Sequence, residues 1–266
     1  MMGSQLSTED KERIIQGIRK KYTEASITPQ GLFSYPTGRE GIKGLGYDPK
    51  IVKSIPKLII DSFCGVGNPF SLGPIHEGET VLDIGCGGGF DVIFAAIMVG
   101  PKGEIIGIDV TPEMLERSKK NLQETSIENV TLKQATAEEL PFPDNNFDVI
   151  ISNGVFNLIP DKIKAFSEVF RVLKLNGRLM VADQILIGEL SKEQKLSAES
   201  WAQWEGGALP GKDFLEMFQE TGFVIVELVQ ETGFNASPKT KGVLVRARKT
   251  ETLDAWKKEP EQIKTN

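Results

Sequence analysis

Histidine is almost missing from this chain, with one residue, His76, among 266. Cysteine is nearly as scarce: only Cys64 and Cys86. Two thiols cannot build a disulfide framework. One imidazole rules out most multi-histidine metal sites and argues against a Ser-His-Asp triad. No run of eighteen apolar residues occurs, so no membrane span is expected. The opening stretch MMGSQLSTEDKERIIQGIRKKY is charged and has no apolar centre, so it does not read as a secretory signal; the expected location is cytoplasmic. A basic stripe is also lacking. The 31 basic and 37 acidic residues give a net charge of -6, and basic runs are short, as at Arg19-Lys20-Lys21 and Lys257-Lys258. Proteins that track phosphates carry a basic face, so nucleic acid is not an expected partner. With so little acid–base equipment, any chemistry here has to borrow reactivity from a cofactor.

What is present suits one large α/β domain with additions: 39% of residues are hydrophobic and 26% charged. Residues 1–77 read as an N-terminal segment. It starts with a helix after Ser7, carrying Ile14, Ile15, Ile18 and Tyr22 at helical spacing. A Gly-, Pro- and Tyr-rich stretch at 29–50 follows, expected to be a loop or lid. From residue 78 strands and helices alternate: strands at Thr80–Ile84, Glu104–Asp109, Asn129–Lys133, Phe147–Ser152 and Gly177–Ala182. The intervening helices are expected at Asp91–Val99, after the Thr111-Pro112 start, and at Asp161–Leu173. In the second of these, Met114, Leu115 and Leu122 turn inward. In the third, Ile163, Phe166, Val169 and Phe170 share a face. Such alternation means a parallel sheet covered on both faces. An insertion near 187–222 reads as helical at 191–204 and 212–221. Phe223–Val229 and Gly242–Ala247 then read as a hairpin at the sheet edge. The domain so defined spans 78–249, and 250–266 is a polar tail.

The informative segment is Val81-Leu82-Asp83-Ile84-Gly85-Cys86-Gly87-Gly88-Gly89-Phe90-Asp91. A strand, a glycine turn and a helix start form a nucleotide-binding arrangement, because glycine lets backbone N–H groups approach a ligand closely. A dinucleotide site would want its third glycine at position 90, where Phe90 stands. An NAD-dependent dehydrogenase is disfavoured accordingly. The pattern is instead D-x-G-x-G-x-G, with a second acid, Asp109, ending the next strand, where a carboxylate can accept both hydroxyls of a ribose.

DIGCGGGFD, GIDVTPEML, ATAEELPFPDNNFDVIISN and RVLKLNGRLMVAD together resemble the motifs of class I S-adenosylmethionine-dependent methyltransferases, over about residues 78–186. The resemblance implies S-adenosylmethionine as cofactor. It also implies a Rossmann-like, doubly wound, seven-stranded sheet, mostly parallel with an antiparallel last strand. By it Asp83, Gly85, Cys86, Gly87 and Gly89 surround the methionine part of the cofactor, Asp109 and Val110 the ribose, Thr136 and Ala137 the adenine, and Asn153 the region near the sulfonium. LGYDPKIVKSIP, GVGNPF, ISNGVFNLIPDK and WAQWEGGAL resemble more narrowly the arsenite methyltransferase branch, over roughly residues 45–220. That branch holds trivalent arsenic through cysteine thiolates. Val66, Gly154 and Trp204 stand here where it has cysteine, and the N-terminal cysteine pair is replaced within residues 35–38. Soft ligands select soft ions, so a small organic acceptor is expected instead.

The expected acceptor pocket draws on Phe156, Asn157, Asp183 and Trp204, with Trp201 and the Tyr35–Tyr47 segment beside it, beyond the carboxyl ends of the strands. No catalytic residue can be named. Asp183 and Glu205 are candidate bases, and Asp183 reads equally as a structural acceptor. Trp201 and Trp204, three residues apart, suit core packing as well as ligand binding. Two other functions remain open: a metalloid methyltransferase with altered ligands, and a cofactor-binding protein that does not catalyse.

Overall fold

The computed structural model of the chain describes residues 6–251. The tail expected at 250–266 therefore lies outside the described residues, except for its first two positions. Seven strands form one sheet: β1 Thr80–Ile84, β2 Glu104–Asp109, β3 Val130–Gln134, β4 Phe147–Asn153, β5 Leu173–Leu186, β6 Ile225–Glu231 and β7 Thr240–Arg248. Their order is β3-β2-β1-β4-β5-β7-β6. Strands β1 to β5 pair in parallel, and β7 runs antiparallel between β5 and β6. This is the doubly wound class I Rossmann-like sheet.

Ten helices accompany it among the described residues: α1 Thr8–Ile27, α2 Gly38–Gly44, α3 Pro49–Ser54, α4 Lys57–Asp61, α5 Phe90–Val99, α6 Pro112–Gln123, α7 Lys162–Val172, α8 Lys192–Leu196, α9 Ala198–Ala202 and α10 Gly211–Glu220. None is long and apolar enough to cross a membrane.

Alternation along the strands divides the core into two layers, because successive side chains point to opposite faces. Leu82, Ile106, Ile150, Leu179, Val181 and Val245 pack under α7 and α10, against Phe166, Phe214 and Phe218. Val81, Ile105, Val149, Ile151 and Met180 face the other way, against Val92, Ala95 and Val99 of α5 and Ile14 and Ile18 of α1. A third layer lies outside α5, where Ile42, Tyr47, Ile55, Ile59, Ile60 and Phe63 meet Phe90, Ile93 and Phe94.

Four local expectations change. The 29–50 stretch contains helix α2 and leads into α3, with Tyr47 buried in the third layer; both helices are too short to show a 3.6-residue period. Ile163 is 38% exposed, because α7 starts on Lys162, whose side chain turns inward in its place. The insert at 191–204 is two short helices, each begun by a serine cap, Ser191 and Ser197. Strand β5 reaches well past Ala182, as Asp183–Leu186 pair with Thr240–Val243 of β7.

Candidate functional site

Strands β1, β2 and β4 end side by side, and the glycine turn 85–89 leaves β1 between the last residues of its two neighbours. Gly85, Gly87 and Gly89 all have positive φ, which only glycine adopts cheaply. At Gly85 a Cβ would also fall 2.3 Å from Val155. The Gly85 and Cys86 N–H groups donate to the Ile108 carbonyl at 2.8 and 2.9 Å, tying the turn to β2. Asp109, ending β2, completes the tie: its carboxylate accepts from Gly87 N–H at 2.9 Å and Thr111 N–H at 2.8 Å. Burial raises the Asp109 pKa, and these two bonds oppose the rise.

A cavity opens beyond these strand ends, the position at which parallel sheets bind ligands. Its atom-free space, open mouth included, is about 1030 Å³. Gly85, Gly87, Asp109, Val110, Thr136, Ala137, Asn153 and Trp204 all line it, so eight of the residues singled out from sequence meet in one place.

Six do not line it. The Cys86 side chain is buried in the layer facing α5. Gly89 opens α5, one turn removed. Asp83 lies beneath the turn, with one carboxylate oxygen buried and unpartnered. Burial, reinforced by Asp91 and Asp109, holds its pKa well above the ordinary aspartate value. Phe156 belongs to the core, stacked on Phe166 at 4.8 Å. Asn157 is buried and donates to the Trp204 carbonyl. Asp183 is fully buried and accepts from the N–H groups of Phe156 (2.7 Å), Asn157 (3.3 Å) and Gln184 (2.7 Å). It therefore caps the 3-10 turn Phe156–Leu158 from behind, the structural alternative to a base. Burial pushes its pKa up to about 6 against those bonds.

Asn153 is the hinge of the site. It accepts from Val66 N–H at 2.8 Å and donates to the Gly67 carbonyl, Asp91 and the Tyr47 hydroxyl at 2.9, 2.9 and 3.2 Å. Tyr47 in turn donates to Asp91 at 2.8 Å. Asp91 is desolvated, which pushes its pKa up to about 6 while Asn153 and Tyr47 pull it back.

Sequence reasoning missed Ile15, Arg19 and Tyr22 of α1, Cys64, Val155 and Glu138, all of which line the cavity. The amphipathic pattern of α1 gave a buried face but not the surface it covers. Helix α1 bridges the mouth: Lys21 donates to the Ala202 carbonyl at 2.7 Å on one side, and Arg117 of α6 donates to the Ile27 carbonyl on the other. Among the described residues no group of three His, Cys, Asp or Glu is placed to hold a metal ion.

Comparisons agree with this geometry. Residues 75–222 match the family described as a methyltransferase domain. An arsenite methyltransferase from Halobacterium salinarum is 32% identical over 237 residues, covering 84% of this chain and 60% of that protein. The chain thus spans less than two thirds of that relative's length. A demethylmenaquinone methyltransferase from Listeria monocytogenes is 33% identical over 60% of this chain and 76% of its own length. The solved structure of an arsenic (III) S-adenosylmethionine methyltransferase from Chlamydomonas reinhardtii superposes with a TM-score of 0.67 at 27% identity, over 78% of this chain and 75% of that one. Glycine turn, sheet order and these likenesses coincide: the chain belongs to the methyltransferase domain family, as a class I S-adenosylmethionine-dependent member related to the arsenite methyltransferase branch but without an obvious arsenic-binding cysteine cluster.

Proposed function

We propose that this protein transfers a methyl group from S-adenosylmethionine to a small organic acceptor. One observation carries the proposal: a single cavity is lined by the glycine turn and Asp109 and also by Trp204, so cofactor-type and acceptor-type walls share one space. The residues suit the cofactor. At Gly87, which lines the cavity, a Cβ would meet only the Gly85 carbonyl, at 4.0 Å, so that side of the turn is open. Asp109 has the carboxylate a ribose diol needs, and the Asp83 and Asp91 carboxyls, buried beneath the turn, would favour a cationic amino acid group by their charge rather than by contact. Asn153, Gly85 and Gly87 would line the methionine part, and Thr136, Ala137 and Val110 the nucleoside part. When bound, the cofactor supplies a methyl group already made electrophilic by its sulfonium. The protein's share is alignment and exclusion of water, worth roughly 7–11 kcal/mol in favourable cases. Helix α1, drawn across the mouth by Lys21 and Arg117, serves the exclusion.

The relatives' names favour a second reading, arsenite as acceptor. Side chains oppose it. Gly154, Val66 and Trp204 occupy the positions where the resemblance places thiolates, and Cys86 is turned into the core, leaving Cys64 at the cavity. One thiolate does not make a soft multidentate site. Incubation with methyl-labelled S-adenosylmethionine and a panel of organic acceptors, with sodium arsenite in a parallel sample, separates the two. Label in an organic product supports the proposal. Label in methylated arsenic overturns it, and S-adenosylmethionine bound without any transfer favours a non-catalytic binding protein.

A further inference from the structure

One part of the cavity wall is not used by the cofactor reading. Arg19 and Tyr22 of α1, Cys64, Gly154 and Trp204 form it. Its surroundings are aromatic. The Trp204 ring meets Tyr35 edge-on at 5.9 Å and Phe33 at 6.4 Å, and Tyr22 lies 6.3 Å from Phe33. Flat apolar walls of this kind select a flat apolar guest.

The Tyr22 hydroxyl is buried and its proton has no acceptor. The Trp204 indole, which can only donate, is directed at that hydroxyl and partly offsets the burial-driven rise of the phenol. Buried polar groups are nearly always satisfied, and an unmatched donor beside a binding cavity points to a ligand atom that completes it. The partner of the Tyr22 O–H is therefore an acceptor atom. Cationic groups stand nearby: Arg19 in the wall, and Lys21 over the Phe33 ring at 4.7 Å.

The same part of the wall offers no base. Among the described residues forming it, the groups that could take a proton are the Tyr22 phenol, raised by burial, and the Cys64 thiol, pushed up to about 12. The two carboxylates of the cavity, Asp109 and Glu138, are engaged by backbone N–H groups: those of Gly87 and Thr111, and that of Asp161. An alkyl alcohol or a protonated amine needs a base to become a nucleophile. An acidic hydroxyl does not, since it sheds its proton to solvent.

We infer that the acceptor is a flat, apolar ring bearing an acidic hydroxyl of the phenol type, its oxygen held by the Tyr22 hydroxyl, which the Trp204 indole N–H orients. The inference rests on the methyltransferase reading and narrows it. In the transfer, a lone pair of the ionised oxygen forms the bond to the methyl carbon while the carbon–sulfur bond breaks. Sulfur keeps that electron pair and becomes a neutral thioether.

The test uses the full chain saturated with S-adenosylhomocysteine, and 4-nitrophenol as probe, whose ionised form absorbs visible light. The expected results are saturable binding, a larger ionised fraction of the bound phenol than of free phenol at the same pH, and about tenfold weaker binding in both Tyr22→Phe and Trp204→Phe. Tyr22→Phe keeps its ring and Trp204→Phe keeps an aromatic one, and retained S-adenosylhomocysteine binding shows that both fold. No phenol binding, phenol binding indifferent to both substitutions, or preferred binding of dimethylamine would overturn the inference while leaving the methyltransferase reading intact. Failure of the wild-type protein to bind S-adenosylhomocysteine would instead remove that reading.

Discussion

Gly154 and Trp204 are fitted to each other. A Cβ built on Gly154 would lie 2.2 Å from the Trp204 indole, and both residues hold left-handed backbone, with φ of 79° and 73°. The indole thus occupies space that a side chain at 154 would need. At both positions the resemblance to the arsenite branch leads one to expect a cysteine, and one at 154 could not be restored without displacing the Trp204 indole. For a tryptophan the left-handed region is strained, at about 1–3 kcal/mol.

Gly154→Ala is accordingly expected to destabilise the protein by about 2–4 kcal/mol, from overpacking and left-handed strain together. In a Trp204→Ala background the same change should cost only the backbone part, about 1–2 kcal/mol. Urea unfolding of the four proteins of this cycle measures the coupling. Equal costs in the two backgrounds would show that the contact carries no weight.

Asn153→Leu should cost about 2–4 kcal/mol by the same measurement, because it leaves the Val66 N–H without a buried partner, and the Gly67 carbonyl and Asp91 with the Tyr47 hydroxyl alone. It should also loosen the 64–68 segment, read as faster amide exchange there than in β3. A loss below 0.5 kcal/mol would mean that the network is not what positions this segment.

The shape of the sheet was open to reading because the strands are apolar, short and separated by glycine or proline, and the periods of helix and strand differ. The glycine turn and Asp109 were open for the same local reason: their roles follow from residue type and spacing along a few residues. The network joining Tyr47, Asp91 and Asn153 was not, since they meet across 44 and 62 residues of chain through side-chain bonds that leave no periodic trace. Position at a strand end also misled. Asp183 lies on β5 near such an end, yet its carboxylate turns under Phe156 and Asn157, a choice set by the tight turn after β4 that leaves two N–H groups needing an acceptor. The left-handed conformation of Trp204 has no sequence signal, because tryptophan there is a tertiary choice that overrides backbone preference.

Affinity for S-adenosylmethionine should rise with pH between about 5 and 6 and level off near 7. Burial holds the Asp91 carboxyl at about 6, so below that pH the free protein carries it protonated. A cationic ligand favours the ionised form, so binding displaces the proton and weakens as pH falls, by at most tenfold per unit. Asp83, Asp109, Tyr47 and Asn153 surround the same carboxyl. Asp91→Asn should flatten the profile and leave weaker binding at pH 7. A wild-type profile flat from pH 5 to 7 would contradict the prediction.

The most direct test is calorimetric titration with S-adenosylmethionine and, separately, with NAD, on the wild-type protein and on Asp109→Ala. Saturable binding of the methyl donor, no binding of NAD, and a loss of about ten- to a hundredfold in the variant are expected, the size of a charged hydrogen-bond partner removed. Binding of NAD in place of the methyl donor, or binding of the donor that ignores Asp109, would contradict the account.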